Sequence, residues 1–130
     1  HLEDLYTTAK IKPMVDQVEY HPRLTQEPLM KYLKDENIQM QSYSPLMRGG
    51  VMEIPLLQEL AKKYNKSISQ IVLRWNIQNG VVVIPKSVTP SRIKENFEIF
   101  DFEIKEEDLL KINSLNDNFR TGSDPDNFDF

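Results

Sequence analysis

The 130 residues are 39% hydrophobic and 28% charged, with a formal net charge of -4 and no cysteine. The length fits one domain that buries roughly two thirds of its unfolded surface, and the mild acidity lacks the basic excess of a nucleic-acid binder. No apolar run approaches the ~20 residues that cross a bilayer, and zero cysteines exclude disulfides and thiolate metal sites, which fits a reducing, cytoplasmic setting. The opening His1-Leu2-Glu3-Asp4 carries acids, no initiating Met and no signal-peptide pattern, so the chain is expected to begin inside something larger.

In the first stretch Leu2, Leu5, Tyr6 and Ala9 recur at helical spacing, and Pro13 bars further helix. Residues 14–20 read as a strand with both faces mixed: Val15, Gln17 and Glu19 on one, Met14, Asp16, Val18 and Tyr20 on the other. Thr25 is the expected N-cap of the next helix, with Pro28 in its first turn. Leu29, Met30, Tyr32 and Leu33 form its apolar stripe as far as about Asn37. Residues 38–43 form a second strand whose alternate face, Gln39, Gln41 and Tyr43, is polar for something buried, and residues 46–50 form a loop.

Leu56, Leu57, Leu60 and Ala61 predict a helix to about Tyr64. Ser67-Ile68-Ser69-Gln70 matches a capping box that opens another, with Ile71, Val72, Trp75 and Ile77 as its apolar face and Asn79-Gly80 as its stop. Residues 81–84 contain no polar side chain, the pattern of a parallel strand covered on both faces. Thr89-Pro90 reads as an N-cap with Pro at the first helical position. A last helix over 106–115 has Leu109, Leu110 and Ile112 as its apolar set. Residues 116–130, rich in Asp, Asn, Gly and Pro, are expected to be a loop or mobile end. Strands alternating with helices predict an α/β fold with a parallel sheet. Three strands leave two unpaired edges, which implies self-association through them.

One stretch concentrates chemistry. After the apolar run Val81-Val82-Val83-Ile84 come Pro85, Lys86 and Ser87, then Thr89-Pro90 and Arg92 at a helix start. Unpaired N–H groups at a helix N-terminus favour an anion, so cations and a hydroxyl gathered there suit a phosphate. The plainer alternative for Lys86 and Arg92 is a solvated surface pair.

Three motifs in order, Val15-Asp16-Gln17-Val18-Glu19-Tyr20-His21-Pro22, Ser42-Tyr43-Ser44-Pro45-Leu46 and Ile84-Pro85-Lys86-Ser87-Val88-Thr89-Pro90, resemble the C-terminal half of an aldo-keto reductase. Arg92 and Glu95-Asn96 follow at the family's spacing. The resemblance implies residues 1–115 as half of a TIM-type (β/α)8 barrel carrying strands six to eight with their helices, and 116–130 as a C-terminal tail. It implies NADPH or NADP as cofactor, and reduction of a small aldehyde or ketone only in the complete barrel.

By the same resemblance, Gln17 holds the nicotinamide carboxamide and Tyr43 is the platform on which the ring stacks. A partly buried Gln and a core Tyr are the plainer alternatives. Ser44, Pro45, Leu46 and Arg48 line the pyrophosphate, with Met47 standing where the family often has Gly. Lys86, Ser87 and Arg92 clamp the 2′-phosphate, which NADH lacks, while Val88 contributes backbone and Glu95 with Asn96 holds the adenine. The family's catalytic Asp, Tyr, Lys and His, and its Ser-Asn pair for the carboxamide, have no matching segment here. The chain alone is therefore expected to be an inactive half-barrel, and the alternative is a catalytically silent nucleotide-binding or self-associating one.

His21 reads as structural or loop-facing, and Trp75 as helix core. Asp16 and Glu19 stand three apart on a strand and so face opposite ways, and His1 and His21 have no metal-ligand spacing.

Overall fold

The computed structural model describes residues 1–128, and the last two residues of the 116–130 tail lie outside them. Three parallel strands, β1 (Val15–Glu19), β2 (Gln39–Tyr43) and β3 (Val82–Val83), form one sheet in that order among the described residues. The helices are α1 (Leu2–Tyr6), α2 (Glu27–Asp35), α3 (Pro55–Tyr64), α4 (Ile68–Gln78), α5 (Pro90–Phe97) and α6 (Glu106–Asn113). A 3-10 segment, Met47–Glu53, occupies the region read as a loop, with Arg48 and Gly49 left-handed inside it.

The pairing puts Val15 opposite Gln39, Gln17 opposite Gln41 and Glu19 opposite Tyr43. It then puts Gln41 opposite Val82. Paired residues of parallel strands share a face. One face is therefore Val15, Gln17, Glu19, Gln39, Gln41, Tyr43 and Val82. The other carries Met40 and Ser42, both buried under helices.

Helix ends follow local chemistry. Ser67 caps α4 with a reciprocal capping box to Gln70, and Gly80 leaves the helix at φ 76, where a side chain would be strained. At α2 the expectation fails: Gln26, left-handed at φ 45, is the N-cap, not Thr25. Thr25 is spent elsewhere, its backbone N–H donating to Asn116 Oδ1 at 3.0 Å. Gln26 Nε2 meanwhile donates to the Glu19 carbonyl, which pins the left-handed turn to the end of β1.

The core lies between the packed sheet face and α3, α4 and α6. Leu33, Leu57, Leu60, Ile71, Val72, Trp75 and Ile112 are at most 1% exposed. Each such aliphatic contributes about 1.5–3 kcal/mol relative to exposure. The Tyr20 ring stacks on Trp75 with centroids 4.9 Å apart and planes 10° from parallel. Trp75 Nε1 donates to Asn113 Oδ1 at 2.7 Å, and Asn79 Nδ2 to Tyr20 Oη at 3.1 Å, so both polar tips are satisfied.

Two further expectations are corrected. Residues 81–84 yield a strand of only Val82–Val83 covered on one side: Val81 is buried, but Val82 and Ile84 are 41% and 43% exposed. Pro85 has no N–H to extend the ladder, and the apolar run faces open space on the Gln17 side. Leu110 is 60% exposed, and the α6 position that goes inside with Ile112 is Asp108. The tail, expected to be a loop or mobile end, is a loop, and it is tied down across residues 116–122. Arg23 forms a two-pronged ion pair with Asp117, its guanidinium lies 4.1 Å from the Phe119 ring centroid, and its carbonyl accepts from the Asp117 and Phe119 N–H groups.

Candidate nucleotide site at the strand ends

Parallel strands deliver their C-terminal ends to one rim, where loops collect functional groups. Gln17 and Tyr43 meet there, lining a cleft of about 610 Å³ together with Glu19, Gln26, Arg120 and Ser123. Gln17 is exposed, and its Nε2 donates to Gln41 Oε1 at 2.6 Å. Tyr43 is half-buried. Burial, then the nearby Glu19 carboxylate, push its phenol above the ordinary value, so it stays protonated. A neutral aromatic with one open side suits stacking.

Glu19 is 1% exposed. Its carboxylate accepts from the Thr121 N–H at 2.7 Å, the Thr121 hydroxyl, the Gly122 N–H at 3.0 Å and His21 Nε2 at 2.9 Å. Burial alone would raise its pKa, but the Thr121 bonds, then His21 and Gly122, overcome that and hold it at about 2. His21 is fully buried. Burial pushes its pKa down against the opposing pull of Glu19. A carboxylate only accepts, so the proton of the neutral ring sits on Nε2 and Nδ1 is the bare nitrogen. His21 is thus structural, as read.

The second group is separate. Lys86, Ser87 and Asn96 line a cleft of about 540 Å³ with Val83, Pro85, Ile93 and Phe97. Ser87 Oγ accepts from the Thr89 N–H at 3.2 Å, so the hydroxyl shapes the turn that opens α5. Thr89 is the N-cap of α5, as expected, with Pro90 following. Val88 and Arg92 are exposed and outside this lining, and the Glu95 carbonyl accepts from Gln70 Nε2 at 3.1 Å. Of the connecting loop, Ser44 is left-handed at φ 50, Pro45 is buried, Leu46 is half-buried, and Arg48 is exposed at φ 53. None of these four lines either cleft.

The geometry therefore gathers Gln17 with Tyr43, and Lys86 with Ser87 and Asn96. It leaves Val88, Arg92 and Arg48 on the surface. The residues not foreseen are Glu19, Arg120, Thr121 and Gly122. The available signal was period two: Glu19 stands two after Gln17, so it faces the same cleft. Among the described residues no group of three His, Asp or Glu could hold a metal, and no helix is long and apolar enough to cross a membrane.

A sequence profile of the Aldo/keto reductase family matches residues 1–117, and the chain belongs to that family. It is 55% identical over 130 residues to an uncharacterized oxidoreductase, YtbE, of Bacillus subtilis, covering all of this chain and 46% of that protein. It is 52% identical over 126 residues to the glyoxal reductase of the same organism, covering 97% of this chain and 46% of that one. The chain thus spans about half the length of the curated relatives it matches. Among solved structures, an aldo-keto reductase from a Medee basin deep-sea metagenome library superposes with a TM-score of 0.94 at 43% identity, covering 99% of this chain and 49% of that one. A Bombyx mori aldo-keto reductase in complex with NADP superposes with a TM-score of 0.85 at 34% identity, covering 96% and 44%.

Proposed function

We propose that this chain is the NADPH-binding, C-terminal half of an aldo-keto reductase (β/α)8 barrel, supplying strands six to eight, and that it lacks the catalytic tetrad. The observation that carries the reading is the registered open face of the sheet. It presents Gln17 and, at the strand ends, Glu19 and Tyr43 to one cleft, while the following strand leads to Lys86 and Ser87 at another. An inner barrel wall has one face turned to the barrel axis and its ligand groups at the strand C-termini.

The donor set fits the dinucleotide. Gln17 offers an amide for a carboxamide, Tyr43 a flat aromatic for a ring, Lys86 a cation and Ser87 a hydroxyl for a phosphate. Lys86 in that role selects NADPH over NADH, and Tyr43 fixes which ring face is presented. NADPH, when bound, supplies the hydride for reduction of an aldehyde or ketone. Neither Tyr43, held above its ordinary pKa, nor Glu19, ionised and engaged, suits proton donation, and the reading assigns that step to the family's tetrad in the other half of the barrel.

A second reading is a catalytically silent, self-associating half-barrel. It is favoured by the exposed Met14, Val15, Val82 and Ile84 along the open face and edges of the sheet. Both readings are tested by NADPH titration and carbonyl-dependent NADPH oxidation, first with this chain and then after adding a matching N-terminal half from a relative. Binding by the chain, with turnover only in the pair, is the expected result. Turnover by the chain alone overturns the assignment of the acid elsewhere, and binding without turnover in the pair favours the silent form.

A further inference from the structure

We propose that Glu19 is a positioning residue that latches the C-terminal segment against β1 and so builds one wall of the Gln17–Tyr43 cleft. The segment contributes Arg120, Ser123, Pro125 and Asp126 to that cleft, opposite Gln17, Val18 and Tyr43. It comes from a stretch with no helix or strand of its own, so its position depends on what holds it.

The holding points converge on the end of β1. Asn116 Oδ1 accepts from the Thr25 N–H, and the Arg23 carbonyl and guanidinium take Asp117 and Phe119. Glu19 then takes two consecutive backbone N–H groups and a hydroxyl from Thr121 and Gly122. The last of these fixes the point from which residues 123–126 leave. Charge-assisted bonds from N–H to a buried carboxylate are roughly twice as strong as neutral ones. His21, buried behind, meets the same oxygen, Oε1, that takes Thr121 and keeps the carboxylate oriented.

Gly122 supplies an independent sign of close fit. A Cβ there would lie 3.2 Å from Glu19 Oε2 and 3.4 Å from Tyr43 Oη. The segment therefore touches both the latch and the aromatic platform, and displacing it opens the space beside Tyr43. The latch itself stands on this geometry, while its effect on cofactor rests on the nucleotide reading above.

The test compares the full chain with Glu19→Gln, which keeps shape and loses charge, and Thr121→Val, which loses only the hydroxyl. Amide exchange of residues 120–126 is read by mass spectrometry, with α4 amides and the near-ultraviolet band of the Tyr20–Trp75 stack as controls for the core. The expected result is exchange at least tenfold faster in 120–126 for Glu19→Gln, a smaller rise for Thr121→Val, and unchanged controls. NADPH affinity, by fluorescence titration, should fall several-fold in Glu19→Gln. Unchanged tail exchange overturns the latch, as does a rise shared equally with α4. Faster tail exchange with unchanged NADPH affinity overturns the claim that the latch shapes the site. If the wild type binds no NADPH, the nucleotide reading fails while the exchange still judges the latch. If Glu19→Gln does not fold, Thr121→Val carries the same decision on tail exchange.

Discussion

Gln17 Nε2 donates to Gln41 Oε1 at 2.6 Å across the registered β1–β2 pair, so the two amides form one polar strip on the open face of the sheet. An amide that donates with its nitrogen keeps its carbonyl oxygen as an acceptor. Gln41 thereby orients Gln17 without consuming its capacity to receive a ligand N–H. Gln17→Leu should weaken NADPH binding about fivefold to tenfold, the worth of a net hydrogen bond of about 1–1.5 kcal/mol. Gln41→Leu should weaken it less. Fluorescence titration of both variants checks the order, and an equal or reversed effect contradicts the orienting role.

Lys86 lines the second cleft beside Ser87 and Asn96, where a second phosphate would distinguish two cofactors. Lys86→Met should weaken NADPH about tenfold, consistent with about 1.5 kcal/mol for a bond to a charged group. NADH should change little. The selectivity of the wild type should also decline as salt rises, because an exposed cation is screened. Equal loss of both cofactors would place Lys86 away from the distinguishing phosphate.

The capping box at Ser67 is a local feature whose worth can be read as stability. Its side chain accepts from the Gln70 N–H at 3.2 Å, and Gln70 Oε1 in turn accepts from the Ser67 N–H at 3.0 Å. Ser67→Ala should cost about 1 kcal/mol, a fall of about 4 °C in Tm for a chain of this size. Thermal unfolding followed by circular dichroism measures it, and the NADPH titration should be unmoved.

That cap was legible in sequence because both its partners lie within four residues. The same holds for Gly80 and for the alternation within each strand that groups Gln17 with Glu19 and Gln41 with Tyr43, while the common face of the two sets comes only from the β1–β2 register. What was not legible depends on long separations. Thr25 looks like a cap until Asn116, 91 positions away, takes its N–H and Gln26 turns left-handed toward Glu19. Glu19 looks like an unremarkable strand acid until Thr121 and Gly122 reach it from 102 and 103 positions away. The tail has the composition of a loop, and it is one. Composition carries no record of the buried carboxylate that holds it. Val82 and Ile84 misled in the opposite sense: an all-apolar run predicts cover on both faces, yet one face opens onto the cleft side.

Asp108 shows how a buried acid on an otherwise ordinary helix is accommodated. It is 0% exposed and receives Lys63 Nζ at 2.7 Å, Tyr64 Oη at 2.6 Å and Lys111 Nζ at 3.3 Å. These bonds tie α6 to α3. Asp108→Ala removes the acceptor and leaves the buried end of the Tyr64 hydroxyl bonded only to the Lys105 N–H, for a loss of about 1–3 kcal/mol. Urea unfolding with an unchanged m-value would locate that loss in the folded state.

Acid should undo the Glu19 latch, and the sign follows from its depressed pKa. Burial opposes ionisation, yet Thr121, His21 and Gly122 bring the folded value to about 2 from an ordinary 4.5. Such a group contributes stability that is fully present above about 4.5 and is lost as pH falls towards 2. Asp108, also held at about 2 from 3.8, adds a decline in the same direction below its ordinary value. His21, whose pKa is lowered by burial, begins the decline earlier, below 6.5. The other charged or titratable groups that face Glu19 or its partners are Arg23, Asp117, Arg120 and Tyr43. Asp117 is also depressed, by Arg23. Because Asp108 and Asp117 titrate in both proteins, the difference in urea midpoint between wild type and Glu19→Gln isolates the latch. That difference should be constant above about pH 6.5, where His21 is neutral in both proteins, and shrink as pH falls from 4.5 towards 2. A difference that holds its size to the lowest pH would mean that the carboxylate charge does not carry the contact with Thr121 and Gly122.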